Sequence, residues 1–257
     1  MRISTRSVAM ACLLGTILFA TACGDWTSSM GEEGRLYYTL YTEYETPQAE
    51  LRDAKIVTGH LQRIDVSLTA KGYRDIDSPG SIAHSARPDQ GVSITGEGGS
   101  ESSPPDIRIL VDDPGRYTIE SRADGEVVDW IELQFEMPET FQLISLVRPP
   151  WGEDFLTMTG DPIQVEEGSQ VAFQPVPEDG QGQRLAGDMT TELGVEPDWA
   201  VVPGMSVGNV YEDGYWSIAG EANFYFIDPG IVTFTVTDPV SGATGEQTFE
   251  VTPVARD

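Results

Sequence analysis

The stretch Asp113-Pro114-Gly115-Arg116-Tyr117-Thr118-Ile119 recurs 115 residues later as Asp228-Pro229-Gly230-Ile231-Val232-Thr233-Phe234. In both, Pro presets the backbone for a turn and Gly supplies the conformational freedom to leave it. The residues beyond the glycine alternate apolar and polar, the period of a strand buried on one face. Tyr117 and Ile119 face one way, Arg116, Thr118 and Glu120 the other. Val232, Phe234 and Val236 alternate with Thr233, Thr235 and Thr237, and threonine suits the wetted face of a sheet.

The flanks of the two copies match in order. Before the first come strands at Leu36 to Tyr41, at Ile64, Val66 and Leu68, and at Ile107, Ile109 and Val111. After it come a hairpin signal, Asp124-Gly125, and a strand with Ile131, Leu133 and Phe135. The second set opens with Phe141 to Val147. Its Ile163 to Phe173 segment has the pattern of Ile56 to Val66. A strand at Asp198 to Val202 carries Trp199 and Val201. Ala222, Phe224 and Phe226 precede the second copy, and Phe249 and Val251 close the set. Residues 72–106 are rich in Gly, Pro and Ser and read as a long loop with short strands at most. No long segment has helical periodicity. The expected fold is all-β: two tandem antiparallel sandwiches, at 36–138 and 139–254, with a short tail at 255–257.

With those residues in view, the chain resembles immunoglobulin-like domains, which carry Asp-x-Gly-x-Tyr-x-Cys at the start of strand F. Asp113, Gly115 and Tyr117 match position by position, with Ile119 in place of the cysteine. Asp228 and Gly230 match in the second copy, where Val232 and Phe234 replace Tyr and Cys. The resemblance implies a tyrosine corner in the first sandwich only. It also implies apolar pairs where a disulfide would lie: Ile119 with Val66, and Phe234 with Val171 or Phe173. Trp199 looks like the strand-C tryptophan. The set is most similar to the cystine-free bacterial Ig-like or PKD-type repeats of surface proteins.

The first residues are an address. Arg2 and Arg6 precede an apolar run at 8–20 and small residues at Ala20-Thr21-Ala22, the pattern of a signal peptide over 1–22. Ala20-Thr21-Ala22-Cys23 resembles the lipobox of bacterial lipoproteins, with Ala20 where leucine is usual. That family's cysteine is acylated, by palmitate-type chains, and becomes the mature N-terminus. Ala20-x-Ala22 also fits ordinary cleavage, which would leave Cys23 a free thiol. Residues 23–35 are expected to be the acylated N-terminus and a short flexible tether. No later stretch reaches 18 apolar residues, so lipid at Cys23 is the expected membrane attachment, on a periplasmic or cell-surface face.

The chain has 257 residues, 42 acidic against 15 basic, for a formal charge of −27. Such a balance opposes nucleic acid as a partner. Residues 139–257 hold three basic and 20 acidic residues, so the second half is the more acidic. The two histidines, His60 before a strand and His84 in the long loop, do not form a Ser-His-Asp or zinc pattern. Gly96-Glu97-Gly98-Gly99 lacks the lysine and helix of a phosphate loop. No catalytic residue, resident metal or cofactor is expected. Calcium is the one ion the acids bring into view, at Asp75-Ile76-Asp77 and Asp112-Asp113. Trp26, Tyr37, Tyr41, Trp130, Trp151, Tyr215 and Trp216 exceed what inward positions can hold, a cue for protein or glycan binding. The expected function is that of a non-enzymatic envelope lipoprotein. The alternatives are a calcium-assisted adhesion or glycan-binding module and an accessory subunit of a surface enzyme complex.

Overall fold

The computed structural model describes residues 25–42, 50–204, 216–219 and 222–254. Among the described residues nine strands build the first sandwich: β1 (Asp25–Met30), β2 (Leu36–Thr42), β3 (Lys55–Val57), β4 (Gln62–Leu68), β5 (Ala83–Arg87), β6 (Val92–Glu97), β7 (Asp106–Val111), β8 (Gly115–Ala123) and β9 (Glu126–Glu136). One layer has the order β1-β2-β4-β7-β6 and the other β3-β9-β8-β5. The inward residues of each strand meet between the layers. Leu36, Tyr38, Leu40, Ile64, Ile107, Ile109, Ile119 and Leu133 are wholly buried.

Among the described residues ten strands build the second: β10 (Thr140–Arg148), β11 (Leu156–Met158), β12 (Ile163–Glu166), β13 (Gln170–Glu178), β14 (Thr190–Glu196), β15 (Val201–Pro203), β16 (Trp216–Ala219), β17 (Ala222–Phe226), β18 (Gly230–Thr237) and β19 (Thr244–Thr252). One layer runs β15-β17-β13-β10 with β11 outside β10; the other runs β19-β18-β14-β16 with β12 outside β19. A single parallel rung, Thr140 to Thr244, joins the layers into one continuous sheet. Phe173, Phe224, Phe226, Phe234 and Phe249 fill the space between. Of the two partners expected for Phe234 where a disulfide would lie, Val171 and Phe173, both are in this core, and the Phe173 and Phe234 ring centroids lie 4.4 Å apart. Ile119 and Val66 share the first core. Both sandwiches place a short strand parallel to their last one: β3 on β9 and β12 on β19.

The turn into β8 is the expected corner. The Tyr117 hydroxyl donates to the Asp113 carbonyl at 2.9 Å, and its ring meets Phe135 edge-on at 5.7 Å. Val232, wholly buried, takes the tyrosine's place in β18. The Asp124-Gly125 hairpin joins β8 to β9, with φ of 52° and 83° as a two-residue turn of this hand requires.

Three expectations are corrected. The flexible tether at 23–35 is not a tether over its described part: β1 pairs with β2 over six rungs, from Asp25–Thr42 to Met30–Tyr37. The turn after it is clamped by Asp129, whose buried carboxylate accepts from the backbone N–H of Glu33, Arg35 and Leu36. The inward residues of β1 are Thr27 and Ser29, so no apolar alternation marks it. Trp199 is not a core residue. Asp198–Ala200 is a 3-10 turn after Pro197 that sends Ala200 inward and leaves Trp199 62% exposed. Leu193 of β14 fills the core instead. His84 lies on β5, not in a loop.

The sandwiches meet through paired backbone. Val57 N–H donates to the Ala186 carbonyl at 3.0 Å, and Ala186 N–H to the Lys55 carbonyl at 2.6 Å. Val57 is buried in the second core and Ala186 in the first. Around this bridge, Lys55 pairs with Asp179. The Gln62 side chain accepts from Asp188 N–H at 2.7 Å and donates to its carbonyl at 2.9 Å. His60 Nε2 donates to Asp238 at 3.0 Å. Burial alone would raise the Asp238 carboxyl. Hydrogen bonds from His60, the Ser241 hydroxyl and the N–H groups of Val240 and Ser241 outweigh it and hold the carboxyl down at about 2.

Two outcomes are expected. Tyr117→Phe keeps the ring packing and loses the corner bond, so chemical denaturation should read a loss of about 1 kcal/mol. Because the folded Asp238 is more acidic than an unfolded one, near 3.9, its contribution is present above about pH 4 and lost as pH falls toward 2. Thermal unfolding across that range should show Asp238→Asn less stable than wild type at neutral pH and less sensitive to acid.

Candidate functional site

The histidines are both engaged. His60 belongs to the junction. His84 sits at one end of a buried chain: its Nε2 faces the Pro105 carbonyl at 3.0 Å and its Nδ1 faces Ser121 Oγ at 2.9 Å. A carbonyl only accepts, so Nε2 carries the proton and neutral Nδ1 accepts from Ser121. Ser121 then accepts from the Tyr38 hydroxyl at 2.8 Å. Burial lowers the His84 pKa against the pull of the Pro105 carbonyl and Asp106, and burial pushes the Tyr38 hydroxyl up. Ser121 has no exposed surface and the third partner is a carbonyl, not a carboxylate. The chain is therefore a structural wire across the first core, with no room for a substrate at its serine.

The acidic pairs do not converge. Asp75 is bound by Arg35 at 3.3 Å. Asp112 N–H donates to the Gly91 carbonyl, and the Asp113 carbonyl holds the corner. Among the described residues no three His, Cys, Asp or Glu side chains come together as a metal site. Asp77 lines an open cleft of about 660 Å³ with Ser81, Ser100 and Glu101. Gly96 lies in β6 and Gly98 beyond it in the turn toward β7, with no helix between them.

The aromatics divide. Tyr37 is 44% exposed on β2, and Trp130 is half-buried on β9. The side chains of Trp26, Tyr41 and Trp216, all of Tyr215, and Cys23 lie outside the described residues. Trp151 stands out at 86% exposure. It sits on the loop from Pro149 to Phe155, at the end of the second sandwich away from the junction. Arg148 turns back over the Phe155 ring at 5.2 Å and hydrogen-bonds Gln170, fixing the base of the loop.

Beside this loop is a groove of about 400 Å³ between β11 and β12. Val147 and Val165 form its floor, and Met158 and Leu156 one wall. The strands run antiparallel, joined by residues 159–162, but belong to different layers. The Thr140–Thr244 rung closes one end of the seam. The other end, toward Arg148 and Thr252, is open. Leu156 is 54% exposed at this mouth. Sequence reading found Trp151 from the prolines before it but not the groove, whose walls are strands of three and four residues.

No family model and no curated protein match the chain. Among solved structures it is similar to the Escherichia coli adhesin FdeC, at 13% identity and TM-score 0.32, over 79% of this chain and 62% of that one. It is also similar to domains 5–6 of the S-layer protein SbsC, at 13% and 0.28, over 79% and 94%. A third is a C-terminal intimin fragment, at 11% and 0.27, over 78% and 62%. The chain thus spans under two thirds of the FdeC and intimin chains. Overlaps this loose leave the fold resting on its own strand order and corner.

His84 supplies a test of the buried wire. Its folded pKa lies below the unfolded value near 6.5. Its contribution is therefore present above about pH 6.5 and lost as pH falls through the folded pKa. Denaturation at pH 7 and pH 5 should show wild type losing more stability than His84→Gln.

Proposed function

We propose that the chain is a bacterial envelope lipoprotein, acylated at Cys23, that acts without catalysis by binding or by structural placement. The observation that carries the reading is the sequence Ala20-Thr21-Ala22-Cys23 after an apolar run, with folded strand beginning almost at once. Among the described residues no helix is long and apolar enough to cross a membrane, which is consistent with attachment by lipid. The engaged state of both histidines and the scattered acids support a non-enzymatic role. The exposed Trp151 favours binding over a purely architectural part.

With β1 a strand, the lipid has little slack. Asp25 faces Thr42, and the β2–β4 register carried on from Leu40–Ile64 sets Thr42 opposite Gln62, a junction residue. At about 4.8 Å per strand, Asp25 lies roughly 10 Å from the junction. An acyl anchor two residues earlier would hold the molecule near its waist, with both sandwiches alongside the bilayer.

Mass spectrometry of the mature N-terminus, on protein extracted from membranes, tests this. The expected first residue is Cys23 bearing acyl chains, and Cys23→Ala should abolish the acylated species. An unmodified Cys23 thiol at the mature N-terminus would overturn the reading.

A further inference from the structure

We infer that the groove between β11 and β12 accepts an extended, cationic segment of a partner protein as an added strand. The inference rests on the binding role proposed above and supplies its partner class. Three features of the tip lead to it.

The first is open backbone. Among the described residues β11 pairs with β10 alone and β12 with β19 alone. Each strand therefore keeps one edge without a neighbour, and the two edges border the same seam. Free edges are templates for another strand. The chain's other sheet ends, such as β6 and β5, each offer one edge. Here two edges flank a common floor.

The second is the floor itself. Val147 and Val165 are buried but line the groove, and Met158 is half-buried beside them. Leu156 and Trp151 project at the mouth, 54% and 86% exposed. A strand laid in the seam would set every second side chain against this floor, with Trp151 folding over its end.

The third is charge. Glu153, Asp154 and Glu166 are exposed around the mouth, and Asp161 is exposed at the turn that closes the far end of the seam. The nearby cation, Arg148, is engaged by Phe155 and Gln170. The rim is thus one-signed, and a segment with Lys or Arg at alternate positions would meet it while its apolar residues face inward. A neutral glycan would gain nothing from that rim, and a second copy of this acidic chain would be repelled by it.

The test is selection from a display library of random twelve-residue peptides on the full chain. A counter-selection uses a variant carrying Leu156→Lys and Glu166→Lys. Both positions are exposed, so the variant should fold, and its thermal midpoint is checked against wild type. Enriched peptides are expected to alternate apolar and basic residues and to bind wild type at least tenfold more tightly than the variant. Their binding should weaken with salt, and amide shifts should fall on β11, β12 and residues 149–155. Enrichment of acidic or unpatterned peptides, equal binding to the variant, shifts elsewhere or no enrichment would each overturn the inference. Shifts at the groove from oligosaccharides, or dimerisation through it, would do the same. The acylation at Cys23 is read separately by mass, so failure here and failure of the anchor are distinguishable.

Discussion

The backbone bridge between Val57 and Ala186 governs the rest of the molecule. Two sandwiches linked by a short connection would ordinarily be free to pivot. Here a β-rung crosses from one to the other, and each side buries a residue in its neighbour's core. Three polar contacts then surround the rung, at Lys55–Asp179, Gln62–Asp188 and His60–Asp238. Because these residues sit at the start of β3 and β4 and in the turns after β13 and β18, the strands themselves transmit the orientation. The distal loop and the N-terminal strand consequently have a defined relation to each other.

Both cores show how a fold without cystines stays specific. In the second, aromatic rings occupy the middle, and their tilted and edge-on contacts leave few alternative packings. In the first, smaller apolar residues are combined with polar groups whose partners are fully assigned. Asp129 binds backbone N–H groups, and Tyr38, Ser121 and His84 form a directed chain ending on a carbonyl. Buried groups of this kind are costly when unpaired and rigid when satisfied.

Much of the fold was legible because burial on one face writes itself into the sequence at period two. Ile64 and Val66, Ile131 and Leu133, Val232 and Phe234 all read correctly, as did the Tyr117 corner and the Asp124-Gly125 turn. The features that escaped have a common physical cause. Thr27 and Ser29 face inward yet are polar, so β1 carried no stripe. Trp199 is apolar yet turned outward by the bend after Pro197, so residue type misled. The junction contacts join residues more than 120 positions apart, and nothing local marks Lys55 or Asp238 as anything but surface. The site was half visible: Trp151 comes after two prolines that argue for a loop, whereas the groove exists only because β11 and β12 part into different layers.

The polar inner face of β1 has a mechanical meaning. The strand is held by rungs to β2 and a few side-chain contacts, such as Ser29 with Arg52, rather than by oil. Its first rung, Asp25–Thr42, is at the end where a pull from upstream would arrive. Such a load would peel one rung at a time and come to rest at the turn after Met30, where Asp129 holds the N–H groups of Glu33, Arg35 and Leu36. Six residues released this way let out about 20 Å of line, and reeling in again requires only that the ladder re-form.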